Sequence, residues 1–329
     1  MFRSSLLVGF TLCSLAGNGV AQEKKPAMKF VLVVHGGAGT IERAEMTPEN
    51  EAAHRDGIAH ALKDGYDVLT RGGSSLDAVE AAVRKLEDNP LFNAGKGAVF
   101  THEGTNELDA SIMDGKALRA GAIAGVKHIR NPISLARMVM EKSPHVLLVG
   151  EGAEDFAKRM GMGLVDQKYF YTEERWQALQ KLKASPTPAS DQDKHGTVGA
   201  VALDQAGNLA AATSTGGVTN KLPGRVGDSP IIGAGTYANN RTCAVSCTGD
   251  GEYFIRAAVA HTVSDLMEYR GASVEDAAKI ALQKAKDLGG NGGLIAMDTA
   301  GHFVMPFNTS GMYRGWVDSE GKIAVEIYR

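Results

Sequence analysis

The sequence predicts a layered α/β domain in which two mainly antiparallel sheets lie between helical layers. Three observations predict it. Two apolar runs, Thr197 to Asp204 and Asn208 to Thr215, flank Gln205-Ala206-Gly207, a three-residue hairpin loop with glycine at its left-handed position. A second hairpin, Leu294 to Asp298 and His302 to Pro306, turns at Thr299-Ala300-Gly301. Helices with start signals precede both hairpins, so the strand clusters sit on both sides of helices and stack most simply as two covered sheets.

The first residues read Met1-Phe2-Arg3, an apolar segment Leu6 to Leu15, then Gly19-Val20-Ala21 before polar Gln22. The apolar core is too short for a bilayer of about 30 Å, and small residues precede a cut after Ala21. Residues 1–21 are therefore expected to be a secretory signal, and the mature protein to be secreted or periplasmic. The formal charge of −3, with no basic run longer than Lys24-Lys25, leaves no footprint for nucleic acid or an anionic membrane, so a small-molecule or dipeptide partner is expected. At 329 residues and 43% hydrophobic the chain can bury a sizeable core. Forty glycines against ten prolines, spread between apolar runs, indicate tight turns rather than disorder.

Phe30 to Val34 reads as a buried strand stopped by His35-Gly36-Gly37-Ala38-Gly39. That turn matches no phosphate loop, and its glycines would let backbone approach a reaction centre. Helices follow at Glu49 to Arg71 and Leu76 to Glu87, the second opened by a Ser74/Asp77 capping box. His54 and His60 fall on different helix faces and no H-E-x-x-H occurs, so no catalytic metal is expected. Asp88 to Gly97 breaks the helix into an irregular loop whose carbonyls call for partners, either water or a hard cation. Ala98 to Thr101 and Glu107 to Met113 read as strands. Asp109 and Asp114, five apart, face opposite sides and are expected to be solvated or turn carboxylates.

Helices at Ile133 to Met140, Ala153 to Met160 and Thr172 to Lys183 surround a strand at His145 to Val149. Residues 184–196 hold no apolar residue larger than alanine and read as a linker or processing segment. In the hairpin that follows, Asp204 facing Asn208 puts Thr197 opposite Thr215, with Cβ atoms about 4.5–5.5 Å apart. Arg225 and Asp228, in a glycine/proline loop, are either a weak surface pair or a clamp for a zwitterion. Ile231 to Ala238 and Thr242 to Thr248 read as strands, the latter ending in Thr248-Gly249-Asp250, whose spacing alone favours a simple turn over an oxyanion donor. Cys243 and Cys247 on one strand would be roughly 13 Å apart, too far to bridge, and are expected as buried thiols. Helices Tyr253 to Arg270 and Val274 to Leu288, and a closing strand Lys322 to Tyr328, complete the chain.

The segments His35 to Gly39, Pro90 to Gly95, Gly196 to Gly199, Leu222 to Asp228 and Val245 to Glu252 occur in the order found in plant-type L-asparaginases/isoaspartyl peptidases, and the chain resembles that family of threonine N-terminal nucleophile (Ntn) hydrolases. The resemblance implies an αββα four-layer sandwich and a precursor that cuts its own Gly196–Thr197 bond. The α-subunit would span 22–196 and the β-subunit 197–329, two such αβ units forming a homodimer. It implies Thr197 as nucleophile supported by Thr215 and Thr248, with Thr248 and Gly249 as the oxyanion hole. Arg225 and Asp228 would bind the substrate's α-carboxylate and α-ammonium. No catalytic cofactor is implied, only a structural sodium held by the carbonyls of Leu86, Glu87, Asn89, Phe92, Ala94 and Lys96. The implied activity is hydrolysis of L-asparagine and β-aspartyl dipeptides. Two rivals stand beside it: glycosylasparaginase, which carries aspartate where this chain has Gly196, and a non-catalytic periplasmic amino-acid-binding protein with an uncut chain.

Overall fold

The computed structural model describes Met1 and residues 30–184 and 196–329. The signal at 1–21 and most of the linker at 184–196 lie outside the described residues. Ala184 itself closes a helix. In chain order the first half comprises β1 (Val31–Gly39), α1 (Pro48–Thr70), α2 (Ser75–Glu87), β2 (Leu108–Asp114), β3 (Arg119–Val126), α3 (Pro132–Lys142), β4 (Leu147–Val149), α4 (Gly150–Arg159) and α5 (Glu173–Ala184). The second half comprises β5 (Val198–Leu203), β6 (Leu209–Thr215), β7 (Thr236–Ala238), β8 (Cys243–Gly249), α6 (Gly251–Ala257), α7 (Val259–Arg270), α8 (Val274–Asp287), β9 (Gly292–Asp298), β10 (Phe303–Val304), β11 (Gly311–Asp318) and β12 (Ile323–Tyr328).

An eight-stranded sheet runs β12-β11-β1-β5-β6-β2-β3-β4 and a four-stranded sheet β10-β9-β8-β7. Neighbours are antiparallel except β3 and β4. The period of two along β1 divides its side chains between two cores. Leu32 and Val34 join Leu62, Val83 and Ile112 under α1 to α3, whereas Val33 meets Val201, Ala244 and Ile295 between the sheets. A third core, including Val245, Cys247, Val263 and Ala278, lies under α7 and α8. Helix, sheet, sheet, helix is the expected four-layer sandwich.

Local chemistry sets the element ends. Ser74 Oγ accepts from Asp77 N at 3.1 Å while Asp77 Oδ2 accepts from Ser74 N at 3.3 Å, the reciprocal cap expected at the start of α2. The β5–β6 turn closes on Asp204, whose Oδ1 accepts from Ala206 N and Asn208 N at 2.9 Å, with Gly207 at φ +77°. Its Oδ2 accepts from Ser75 N at 3.0 Å, tying the hairpin to α2.

Several elements differ from expectation. β1 does not stop at His35 but continues to Gly39 through a bulge between His35 and Gly37. Ala98 to Thr101 is no strand, with only a bridge at Thr101 to Lys221. The strand expected from Ile231 shrinks to β7. The helix expected over Tyr253 to Arg270 breaks at Ala258, which adopts φ +47°. β3 and β11 had no distinct signal in the sequence. In β11, Arg314 and two glycines interrupt the apolar alternation, and Arg314 is buried by donating to Met312 O, Ile327 O and Tyr328 O. Asp109 is not solvated: it is wholly buried, whereas Asp114 does cap a turn at Lys116 N.

Candidate active site

Thr197 immediately precedes β5 and Thr215 ends β6. The pairs Val198↔Ser214 through Leu203↔Leu209 keep the register expected from the turn. Thr197 Oγ1 accordingly donates to Thr215 Oγ1 at 3.1 Å. Thr215 Oγ1 accepts a second bond, from Gly217 N at 2.9 Å. The Gly216-Gly217 backbone is held in turn by Asn93, whose carbonyl accepts from Gly216 N at 3.1 Å and whose Nδ2 donates to Gly217 O at 2.7 Å. The loop after α2 thus braces the residues behind Thr215.

A cavity of about 290 Å³ opens over Thr197, with Ala38, Gly196, Gly217, Gly249, Asp250 and Asn291 among its walls. Gly249 fits only because it lacks a side chain, since a Cβ would lie 2.3 Å from Asn291 O. Thr248 stands behind this wall, wholly buried, its Oγ1 accepting from Ala38 N at 3.2 Å. Gly37 and Gly196 touch backbone to backbone, so the glycine turn does approach the Gly196–Thr197 bond.

Arg225 and Asp228 converge on the first turn of α6, directly after Gly249-Asp250. A Cβ on Gly251 would lie 2.9 Å from Asp228 N and 3.0 Å from Arg225 Nη2. They do not pair with each other: Glu252 grips Arg225 bidentately, with both N–O distances 2.9 Å. Asp228 is buried with Oδ2 lacking a hydrogen-bond partner, and burial lifts its pKa to about 6 against the opposing pull of Arg225. Asp109, across the ladder from Thr215, is likewise raised by burial and relieved chiefly by Lys221. Burial lowers the Lys221 pKa, and its Nζ donates to Glu107 O at 2.8 Å.

Of the residues singled out in the sequence, Gly196, Thr197 and Gly249 share the cavity, Thr215 and Thr248 back it, and Arg225 with Asp228 lie against Gly251, one residue beyond the cavity wall at Asp250. Glu252, Asn93, Lys221 and His35 were missed as site residues. His35, Asn93 and Glu252 stood inside quoted motifs, but nothing in their spacing showed which way their side chains point. His35 is wholly buried, its pKa pushed down to about 3 by desolvation, and so neutral.

Among known proteins, the chain is 53% identical over 310 residues to the isoaspartyl peptidase of Salmonella typhimurium, covering 92% of this chain and 99% of that one. Against the isoaspartyl peptidase of Escherichia coli the identity is 52% over 310 residues, covering 92% and 97%. The isoaspartyl peptidase/L-asparaginase of Xenopus laevis is 48% identical over 289 residues, covering 87% and 91%. The asparaginase family model matches residues 28–327, and with nearly all the chain inside that match, the protein belongs to the asparaginase family.

Proposed function

We propose that this protein is an isoaspartyl peptidase/L-asparaginase that activates itself by cutting Gly196–Thr197. The observation that carries the reading is the Thr197 hydroxyl at a 290 Å³ cavity shared with Gly249, its oxygen 3.1 Å from Thr215 Oγ1. The named relatives support the substrate class.

A threonine hydroxyl is a poor nucleophile until a base takes its proton, and an α-amine freed at Thr197, with pKa near ~7.7–8, is such a base on the same residue. Cleavage therefore creates the catalyst. The amine takes the Oγ1 proton as Oγ1 attacks the side-chain carbonyl of asparagine or of a β-aspartyl dipeptide. Thr248 Oγ1–H and Gly249 N–H donate to the resulting oxyanion, each such donor being worth about 10²–10³ in rate. The C–N bond then breaks, and the leaving ammonia or amino acid takes the proton back from the Thr197 ammonium. Water, deprotonated by the same amine, hydrolyses the ester, releasing aspartate and restoring the hydroxyl. Arg225 holds the α-carboxylate once Glu252 has yielded it, and ionised Asp228 holds the α-ammonium.

The loop after α2 fits a sodium ion. Its glycines leave a cradle of carbonyls that a Cβ would fill: one on Gly95 would lie 2.4 Å from Glu87 O, and one on Gly97 2.1 Å from Phe92 O. The carbonyls of Leu86, Glu87, Asn89, Phe92, Ala94 and Lys96 would hold the ion, which supplies only a charge that stiffens the Asn93 brace. Export through residues 1–21 to the periplasm and assembly of two αβ units complete the reading.

Denaturing mass spectrometry and three assays test it. Two fragments beginning at Gln22 and Thr197, with turnover of asparagine or β-aspartyl dipeptides, are expected, and Thr197→Ala should remain one inactive chain. A single intact wild-type chain after long incubation leaves a binding protein, and turnover of glycosylated asparagine alone leaves a glycosylasparaginase.

A further inference from the structure

Between the two sheets runs an unbroken line of hydrogen-bonded side chains. His35 Nε2 lies 2.9 Å from Ser246 Oγ, which lies 2.7 Å from Thr213 Oγ1. Thr236 Oγ1 donates to Thr213 Oγ1 at 2.5 Å, and Ser111 Oγ reaches Thr236 Oγ1 at 2.7 Å. The line ends on Ser229, the neighbour of Asp228, whose carbonyl is 2.6 Å from Ser111 Oγ. All five side chains are wholly buried.

Register builds the line. Across the large sheet His35 pairs with Gly199, Gly199 with Thr213 and Thr213 with Ser111, while across the small sheet Thr236 pairs with Ser246. One transverse row of each sheet is therefore polar, and the two rows interlock within an otherwise apolar layer that includes Val33, Val201, Ala211 and Ile295. Gly199 makes room for the link, since a Cβ there would lie 2.0 Å from Ser246 Oγ and 2.5 Å from His35 Nε2. His35 Nδ1 makes no well-formed hydrogen bond, and the ring faces the Thr197 backbone.

Valine has nearly the shape of threonine, so an apolar row would have filled this space as well. A buried network with its partners in place adds little net stability but fixes one alignment of the elements that share it. Here those elements carry the nucleophile at one end and the ammonium-binding loop at the other.

We propose that Ser246, Thr213, Thr236 and Ser111 are positioning residues, holding His35 against the Thr197 backbone and keeping Thr197 in register with the Asp228-Ser229 segment. The proposal rests on the functional reading above, which assigns Thr197 and Asp228 their roles.

The test compares wild type, Thr213→Val, Thr213→Ser, Ser246→Ala and the Thr213→Val/Ser246→Ala double variant as full-length, self-cleaved proteins, with rates normalised to the cleaved fraction. The readouts are kcat on L-asparagine, the inhibition constant of L-aspartate and the melting temperature. Thr213→Val and Ser246→Ala should each lower kcat about tenfold or more and weaken L-aspartate binding while staying folded, with melting lowered only by the few degrees that orphaned buried hydroxyls cost, because small misplacements at a reaction centre are amplified in rate. Thr213→Ser should restore both constants, and the Thr213→Val/Ser246→Ala double variant should be no worse than its weaker parent. A folded Thr213→Val with wild-type constants overturns the proposal, as does Thr213→Ser impaired like valine. Loss of folding in both Thr213→Val and Ser246→Ala also overturns it, making the line structural. Wild type inactive on asparagine and β-aspartyl dipeptides would instead sink the functional reading itself.

Discussion

Gly37 and Gly196 meet without space for a side chain on either: a Cβ on Gly196 would lie 2.0 Å from Gly37 Cα, and one on Gly37 2.4 Å from Gly196 Cα. Gly37 also adopts φ +112°, which L side chains avoid. Gly37→Ala is expected to displace the scissile bond and slow self-cleavage by about 10²-fold, followed by denaturing mass spectrometry over time. Gly72→Ala is the control, because Gly72 has φ +77° but nothing within 4 Å of its Cβ position. It should lose about 1–2 kcal/mol of stability yet cleave normally. Equal cleavage rates in the two variants would show that the Gly37–Gly196 contact is irrelevant to processing.

Cys243 and Cys247, four residues apart on β8, are free and buried. Burial pushes the Cys243 thiol up to about 12 and Cys247 well above its ordinary value, so neither offers a thiolate. Native protein produced from Gln22 onward should leave Ellman's reagent unreacted, with both of its thiols titrating once guanidinium unfolds the chain. Rapid labelling of the native state would contradict this burial.

What the sequence made legible was local. The Gln205-Ala206-Gly207 turn set the β5–β6 register, and that register alone placed Thr197 opposite Thr215. Ser74 and Asp77 announced the start of α2 for the same reason: the cap is made by residues three apart. The remainder depends on which distant strands become neighbours. β11 lies beside β1 although nearly the whole chain separates them, and its buried Arg314 hides it from any apolar pattern. Ser246 meets His35 across 211 residues, and Glu252 meets Arg225 from another element. No periodicity encodes such contacts, so the hydroxyl line and the Arg225 partner appear only once the sheets are stacked.

Asp228 makes substrate binding depend on pH. Its buried carboxyl titrates at about 6 instead of 3.8, so below that value it is increasingly neutral and cannot balance an ammonium. The raised value belongs to the free enzyme, so it governs the inhibition constant of L-aspartate, whose own ammonium stays charged throughout. That constant should weaken toward tenfold per unit below about pH 6. Asp228→Asn should bind weakly with the dependence removed. An inhibition constant unchanged between pH 7 and pH 5 would take Asp228 out of ammonium binding.

Glu252 occupies the guanidinium that the substrate's carboxylate needs. Its side chain is 60% exposed while Arg225 is 16% exposed, so Glu252 is the partner that can swing into water and leave Arg225 in place. Exposed ion pairs are worth at most about 1 kcal/mol, so competition should raise KM by no more than about fivefold. Glu252→Ala is accordingly expected to lower KM for asparagine about two- to fivefold with kcat little changed. Arg225→Ala should raise KM strongly, because it removes the bidentate donor itself. In the double variant the benefit of Glu252→Ala should vanish, since there is no guanidinium left to release. A higher KM in Glu252→Ala would mean instead that Glu252 holds Arg225 in its binding pose, and steady-state kinetics of the three variants distinguishes a competitor from a support.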